Sequence, residues 1–326
     1  MLAKQIKHFR QRFRIFFFLI LTIGLVIACQ NNTSEKPDLN TKRDSTKDCR
    51  VISHSMGETC VPNNPQRIVM VNDLDNALVL GIKPVGAPKI RGQDKFGSLL
   101  PEQTEGIESI GLRGQPSLEK IAQLKPDLIL LSYPKNNYEL LSAIAPTVFF
   151  DENDDEAYKN WQDRFRAYAD VLGKTQAANE ILNTYQQRVA EFKRVMGNRL
   201  SSTEVSLVNF FANDVRIYFK DFFGGEMLEE VGLSRPLAQD KNERHTDLSL
   251  ETIPQMAEGD VIFVMLGNHE QSKLDRYTRH PLWTQLEAVR QGKVYKVSSE
   301  AWIVGDSPVA ANMVLDDLFK YLAENL

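Results

Sequence analysis

The chain has 326 residues, 39 of them Lys or Arg and 43 Asp or Glu, for a formal charge of −4. Its length allows two domains of ordinary size, and 42% apolar with 25% charged residues is a globular composition. An acidic balance with no dominant basic stripe excludes nucleic acid as an expected partner.

The first residues differ from the rest. Lys4, Lys7, Arg10, Arg12 and Arg14 precede an almost wholly apolar run from Ile15 to Ile27. That run is too short to span a bilayer comfortably, which takes about 20 residues. A basic start, a short apolar run and Ala28 before Cys29 describe an export signal over residues 1–28. The cut before Cys29 resembles the lipobox of bacterial lipoproteins, which makes Cys29 the expected site of lipid attachment. An uncleaved N-terminal anchor is the alternative. Without those five basic residues the mature charge is −9. Residues 29–48 are polar and aperiodic and read as a flexible tether, with a mean reach of roughly 25 Å.

Export places Cys49 and Cys60 in an oxidising compartment, where spare cysteines pair. Met56-Gly57 between them is a turn signal, so a short hairpin closed by a disulfide is expected. Two buried free thiols are the alternative.

Residues 49–157 alternate short apolar strands with helices. Arg67–Val71 is a β-branched run, Asp73–Leu80 a helix stopped by Gly81, and Val85–Ala87 another strand. Ile107–Ile110 is extended. Ser117 caps a helix with apolar Leu118, Ile121 and Leu124 and with Glu119 in its first turn. Lys125-Pro126-Asp127 breaks it before the buried strand Leu128–Leu131. This is an α/β lobe with a mostly parallel sheet.

Residues 158–200 carry no strand signal. Thr175 is expected to cap a helix running to about Met196, with Ala178, Ile181, Tyr185, Val189, Phe192 and Met196 recurring at three or four. About 22 residues make a rod of roughly 33 Å, enough to cross between lobes. Strand signals resume over residues 201–326 with "VSLVNFF", "VRIYFK", "VIFVML" and "KVYKV". The stretch "SLEKIAQLKPDLILL" from Ser117 is echoed by "SLETIPQMAEGDVIFVM" from Ser249. Each half is expected to hold a helix beginning Ser-Leu-Glu, a break, and an acid followed by a buried strand. A chance match of a common α–β unit is the alternative.

The segments "PQRIVMV", "LGIKPVGA", "IGLRGQPSLEKIAQLKPDLILLS", "IAPTVFFD", "HPLWTQLEAVRQGKVYKV" and "ANMVLDDLFKYL" occur in that order. Together they resemble the helix-linked (class III) substrate-binding proteins of bacterial ABC importers, and more narrowly the ferric-siderophore binders, from about Val51 to the C-terminus. The resemblance implies two Rossmann-like α/β lobes joined by a single long helix, a ligand cleft between them, little closure motion and a monomer. It implies capture of a ferric siderophore and delivery to a permease, outside the cytoplasm in the periplasm or at the cell surface. No resident cofactor is implied, because the iron arrives already chelated. Glu119 and Glu251 match the glutamates, one on each lobe, that meet permease arginines in several such proteins. The alternative is that both are first-turn acids favoured by the helix dipole.

A chelate of this kind is large, polar and often anionic, so the cleft walls are expected to be positive and partly aromatic. Arginine suits it through paired hydrogen bonds to carboxylate or hydroxamate oxygens. Arg113 lies between Gly111 and Gly114 and matches the motif arginine of ferric-hydroxamate binders. Tyr133 follows a strand end at the mouth of the family's cleft; a simple turn aromatic is its alternative. Arg216, Tyr218 and Lys220 share one face of an alternating strand, opposite Val215, Ile217 and Phe219. Arg235, Arg244 and His245 lie on loops that face the cleft in relatives. Trp302 is either a cleft wall or a core residue. The charged loop "KNERHTD", where hydroxamate-only relatives tend to have aromatics, suggests a ligand bearing carboxylate, of a citrate or citrate–hydroxamate type.

Direct metal binding is disfavoured. His54, His245, His269 and His280 show no ligand spacing, and no metal site is expected in the protein itself. A haem or other metal-chelate binder of the same fold is one alternative. A lipid-anchored enzyme is the alternative of another class, and no G-x-S-x-G, P-loop or G-x-G-x-x-G supports it.

Overall fold

The computed structural model describes residues 49–151, 158, 160–210, 215–266 and 278–324. The expected export signal, Cys29 and the tether lie outside the described residues, as does His269.

Two strands, β1 (Cys49–His54) and β2 (Gly57–Pro62), form an antiparallel hairpin. A Cys49–Cys60 disulfide closes it, with the Cα atoms 5.6 Å apart. Gly57 at the turn holds φ of 121°, a conformation that side chains strain to reach.

A six-stranded sheet follows, in the order β6-β5-β4-β3-β7-β8. Its strands are β3 (Ile68–Met70), β4 (Gly86–Lys89), β5 (Glu108–Leu112), β6 (Gln115–Pro116), β7 (Leu128–Leu131) and β8 (Thr147–Phe149). All neighbours run parallel except β5 and β6, which make a tight antiparallel hairpin. Helices α1 (Leu74–Val79), α2 (Leu118–Gln123) and α3 (Tyr138–Ser142) connect the parallel strands. Side chains along β7 alternate between two apolar clusters, Leu128 and Leu130 to one, Ile129 and Leu131 to the other. A sheet covered on both faces needs such an unbroken apolar run.

Two helices then leave the sheet, α4 (Trp161–Val171) and α5 (Thr175–Met196). Asn160 caps α4, its side chain accepting from the Asp163 amide at 2.9 Å. The buried stripe of α5 is Ala178, Leu182, Tyr185, Val189, Phe192 and Met196. Leu182 takes the place expected for Ile181, which is half-buried, because steps of four and three keep the stripe on one face.

The second sheet has five strands in the order β11-β10-β9-β12-β13. They are β9 (Val205–Phe210), β10 (Val215–Tyr218), β11 (His245–Leu248), β12 (Val261–Leu266) and β13 (Val294–Ser298). The run β9-β12-β13 is parallel, while β10 is antiparallel to both its neighbours. Helices α6 (Phe223–Val231) and α7 (Pro308–Leu318) pack on this lobe. Val261, Phe263 and Met265 of β12 join an apolar cluster that continues through α4 and α5 to α1 and β3. One core therefore runs from lobe to lobe through the linking helices, which ties their orientation to buried packing.

The repeated sentence folds unequally. In the first lobe Ser117 caps α2 as expected, accepting from the Lys120 amide. In the second, Leu250–Thr252 is a 3-10 turn followed by a single α-turn, Ile253–Met256. Pro254 has no N–H to give the carbonyl four residues back, so a continuous helix from Leu250 is not available. Both versions still deliver a buried parallel strand, β7 and β12.

Candidate functional site

Between the lobes lies a cavity of about 770 Å³. Residues from both sheets and from α4 line it. Among those expected from sequence, Arg113, Arg216, Tyr218, Lys220, Arg244 and His245 are brought together on its walls.

Arg113 projects from the β5–β6 hairpin. Gly111 at φ 114° and Gly114 at φ 78° make that turn, and a Cβ on Gly111 would meet the Gln115 carbonyl at 2.9 Å. The sequence Gly-Leu-Arg-Gly thus exposes an arginine on a tip that the backbone holds tightly. The alternation of β10 holds in space: Val215, Ile217 and Phe219 fill a core cluster behind the sheet, and Arg216, Tyr218 and Lys220 face the cavity. Tyr218 is 3% exposed, its ring packed 4.2 Å from Phe222.

The cavity is more mixed in charge than the positive, partly aromatic lining expected. Asp73, Asp221, Glu226, Glu229 and Asp306 line it beside the cations. Arg216 pairs with Asp247 at 2.7 Å, and Lys220 pairs with Asp240. Arg164 forks onto Asp306 at 2.8 and 2.5 Å and lies 3.7 Å from Glu226. Among the described residues Arg113 and Arg244 make no ion pair, and they stand one on each lobe. Their five-donor forks are the ones left for a ligand anion.

Two of the lining acids, Asp73 and Glu226, are held above the usual carboxylate range. Burial raises Asp73 most and nearby Asp306 adds to it, although the Tyr168 hydroxyl donates to Asp73 at 2.7 Å. Burial pushes Glu226 up to about 7, and Arg164 only partly offsets this. Asp306 is where three parts of the chain meet: Arg164 of α4 pairs with its carboxylate, and Asn76 of α1 donates to its carbonyl at 3.3 Å.

Three expected residues are elsewhere. Arg235 is 8% exposed and its guanidinium donates to the carbonyls of Val205 and Tyr218 and to Gln239. Burial lowers its pKa to about 10. It stitches β9 to β10 inside the lobe and does not face the cavity. Trp302 is fully buried against Phe263, with its indole N–H on Asp317 at 2.8 Å, so the core alternative applies. Tyr133 is 58% exposed beside Gly114 and does not line the cavity. Glu119 and Glu251 are both exposed, at the starts of α2 and of the Leu250 turn.

Sequence reasoning missed Asp73, Arg164, Phe222, Phe223, Glu226 and Asp306. Asp73 had a signal: it follows the carboxyl end of parallel strand β3, where open α/β sheets collect ligands. Arg164 had none, since nothing local marks one helix arginine as inward.

Residues 76–301 match the periplasmic binding protein family. The chain is 32% identical to the probable siderophore-binding lipoprotein YfiY of Bacillus subtilis, over 96% of this chain and 98% of that one. It is 27% identical to the Fe(3+)-citrate-binding protein YfmC of the same organism, covering 93% and 95%. The crystal structure of Staphylococcus aureus SirA complexed with staphyloferrin B superposes with a TM-score of 0.73 at 30% identity, covering 84% of this chain and 98% of SirA. The chain belongs to the periplasmic binding protein family.

Proposed function

We propose that this protein is the extracytoplasmic substrate-binding lipoprotein of an ABC importer, anchored through Cys29, that captures a ferric siderophore and passes it to the permease. The ligand is a carboxylate-bearing chelate of the citrate or citrate–hydroxamate type. The observation that carries the reading is the large interlobe cavity in which Arg113 and Arg244, neither of them in an ion pair among the described residues, present guanidinium groups from opposite lobes. Such a chelate brings its own oxygen ligands to iron and asks the protein for hydrogen-bond donors and flat walls, which Arg113, Arg244, Tyr218 and Phe222 supply. The names of YfiY, YfmC and SirA's ligand support the same substrate class. No step of covalent chemistry is assigned to the cavity.

Titration of intrinsic fluorescence with ferric citrate, a ferric citrate–hydroxamate, a ferric catecholate and haemin tests this. Quenching is expected with the carboxylate-bearing chelates. Arg113→Ala and Arg244→Ala should each weaken binding about tenfold or more, since a hydrogen bond to a charged group contributes about 1.5–3 kcal/mol. Unchanged titrations in both variants, or a preference for haemin, would contradict it.

A further inference from the structure

Beside the large cavity is a second space of about 250 Å³. The two share Asp73, Arg113 and Val304, so Arg113 stands at the point where they join. The walls of the smaller space are mainly apolar: Val71, Leu74, Pro88, Ile90, Leu99 and Val304.

Several of its polar groups are already engaged. The Asp75 carboxylate accepts from the Ser98 hydroxyl and from the Leu99 amide at 3.0 and 3.1 Å. Asn72 accepts from the Ser132 and Tyr133 amides. Glu300 pairs with Lys95 at 2.8 Å, across the two lobes. The Ser307 hydroxyl caps α7 by accepting from the Ala310 amide. Apart from Arg113, Gln93 and Ser299, what this space offers a ligand is mainly apolar surface. A dry apolar cavity of about 150 Å³ is enough to take up benzene.

We propose that this annexe receives an apolar arm, a short alkyl or acyl chain or one aromatic ring, attached to the ferric chelate that the large cavity holds. The inference rests on that reading of the large cavity. A chelate anchored on Arg113 with its iron-binding groups in the large cavity can direct a substituent past Arg113 into the annexe. The annexe thereby selects among chelates with the same iron-binding groups, and the loop 90–100 with its Lys95–Glu300 tie forms its outer wall.

The test uses the full mature protein and two probes, a ferric citrate–dihydroxamate with two N-acetyl arms and its analogue with one N-hexanoyl arm. Each buried methylene adds about fourfold in affinity, from about 0.8 kcal/mol. The wild type should bind the hexanoyl chelate at least tenfold tighter than the acetyl one. Ile90→Trp fills the annexe, and so does Gly97→Val, because a Cβ on Gly97 points to Ile90 at 3.7 Å. Either variant, folded by circular dichroism, should bring the ratio of the two affinities close to one. Equal wild-type affinities, or a preference that survives both substitutions, would show the annexe to be an interlobe void and overturn the proposal. If neither chelate binds the wild type, the reading of the large cavity fails, and the annexe falls with it.

Discussion

Arg235 and Arg113 carry the same side chain and do opposite things. Arg235 is buried, with Nε and Nη2 donating to Val205, Tyr218 and Gln239, and Arg113 is exposed without an ion pair among the described residues. Arg235→Ala leaves buried acceptors without donors, so urea unfolding should show a loss of about 3 kcal/mol or more. Arg113→Ala should stay within about 0.5 kcal/mol of wild type in the same experiment while losing chelate affinity. Glu226 gives a second residue-level test. Its folded pKa, about 7, lies above the ordinary 4.5 because of burial, against the pull of Arg164 and Arg244 and with the push of Asp306. From about pH 4.5 to 7 the folded chain keeps a proton that the unfolded chain releases. Stability therefore falls as pH rises through that window, and the full penalty is present above it. Glu226→Gln should stabilise the ligand-free protein by about 1–3 kcal/mol at pH 8 and change little below pH 4.5, read as the difference between paired melts.

At the scale of elements, much was legible where a local period met a local environment. The two-faced pattern of β10 placed Arg216, Tyr218 and Lys220 on the cavity side because a strand's period is rigid. Ser117 and the glycines around Arg113 likewise announced a cap and a tight tip. What could not be read was who pairs with whom. Asp247 and Asp240, which occupy Arg216 and Lys220, come from β11 and the segment before it. Trp302 and Arg235 looked like loop residues, yet tertiary packing buries both. The Ser-Leu-Glu repeat was legible as a repeat but not as two different turns, since Pro254 acts only once a helix is attempted. Both versions leave their glutamate exposed at the start of a turn. If Glu119 and Glu251 are permease contacts, Glu119→Lys with Glu251→Lys should abolish uptake in cells and leave chelate titrations unchanged. Weakened chelate binding in the purified double variant, or normal uptake, would refute docking.

At the scale of the whole molecule, the folded body from Cys49 onward is a pair of α/β lobes held by one continuous core and by ties that cross the cleft floor. Arg164 meets Asp306, Asn76 meets the Asp306 carbonyl, and Tyr168 meets Asp73. The 22-residue helix α5 packs on α4, α6 and α7, and α4 carries the core on to α1 of the first lobe, so buried packing ties the two lobes together. The central claim is that iron enters as a finished chelate and lies between Arg113 and Arg244. Anomalous diffraction at the iron edge, from crystals of the protein with a ferric citrate–hydroxamate, tests that most directly. One iron peak is expected inside the large cavity, coordinated only by chelate oxygens, with both guanidinium groups directed at the chelate. An iron peak bound by Asp73 or Glu226, or lying outside the cavity, would contradict it.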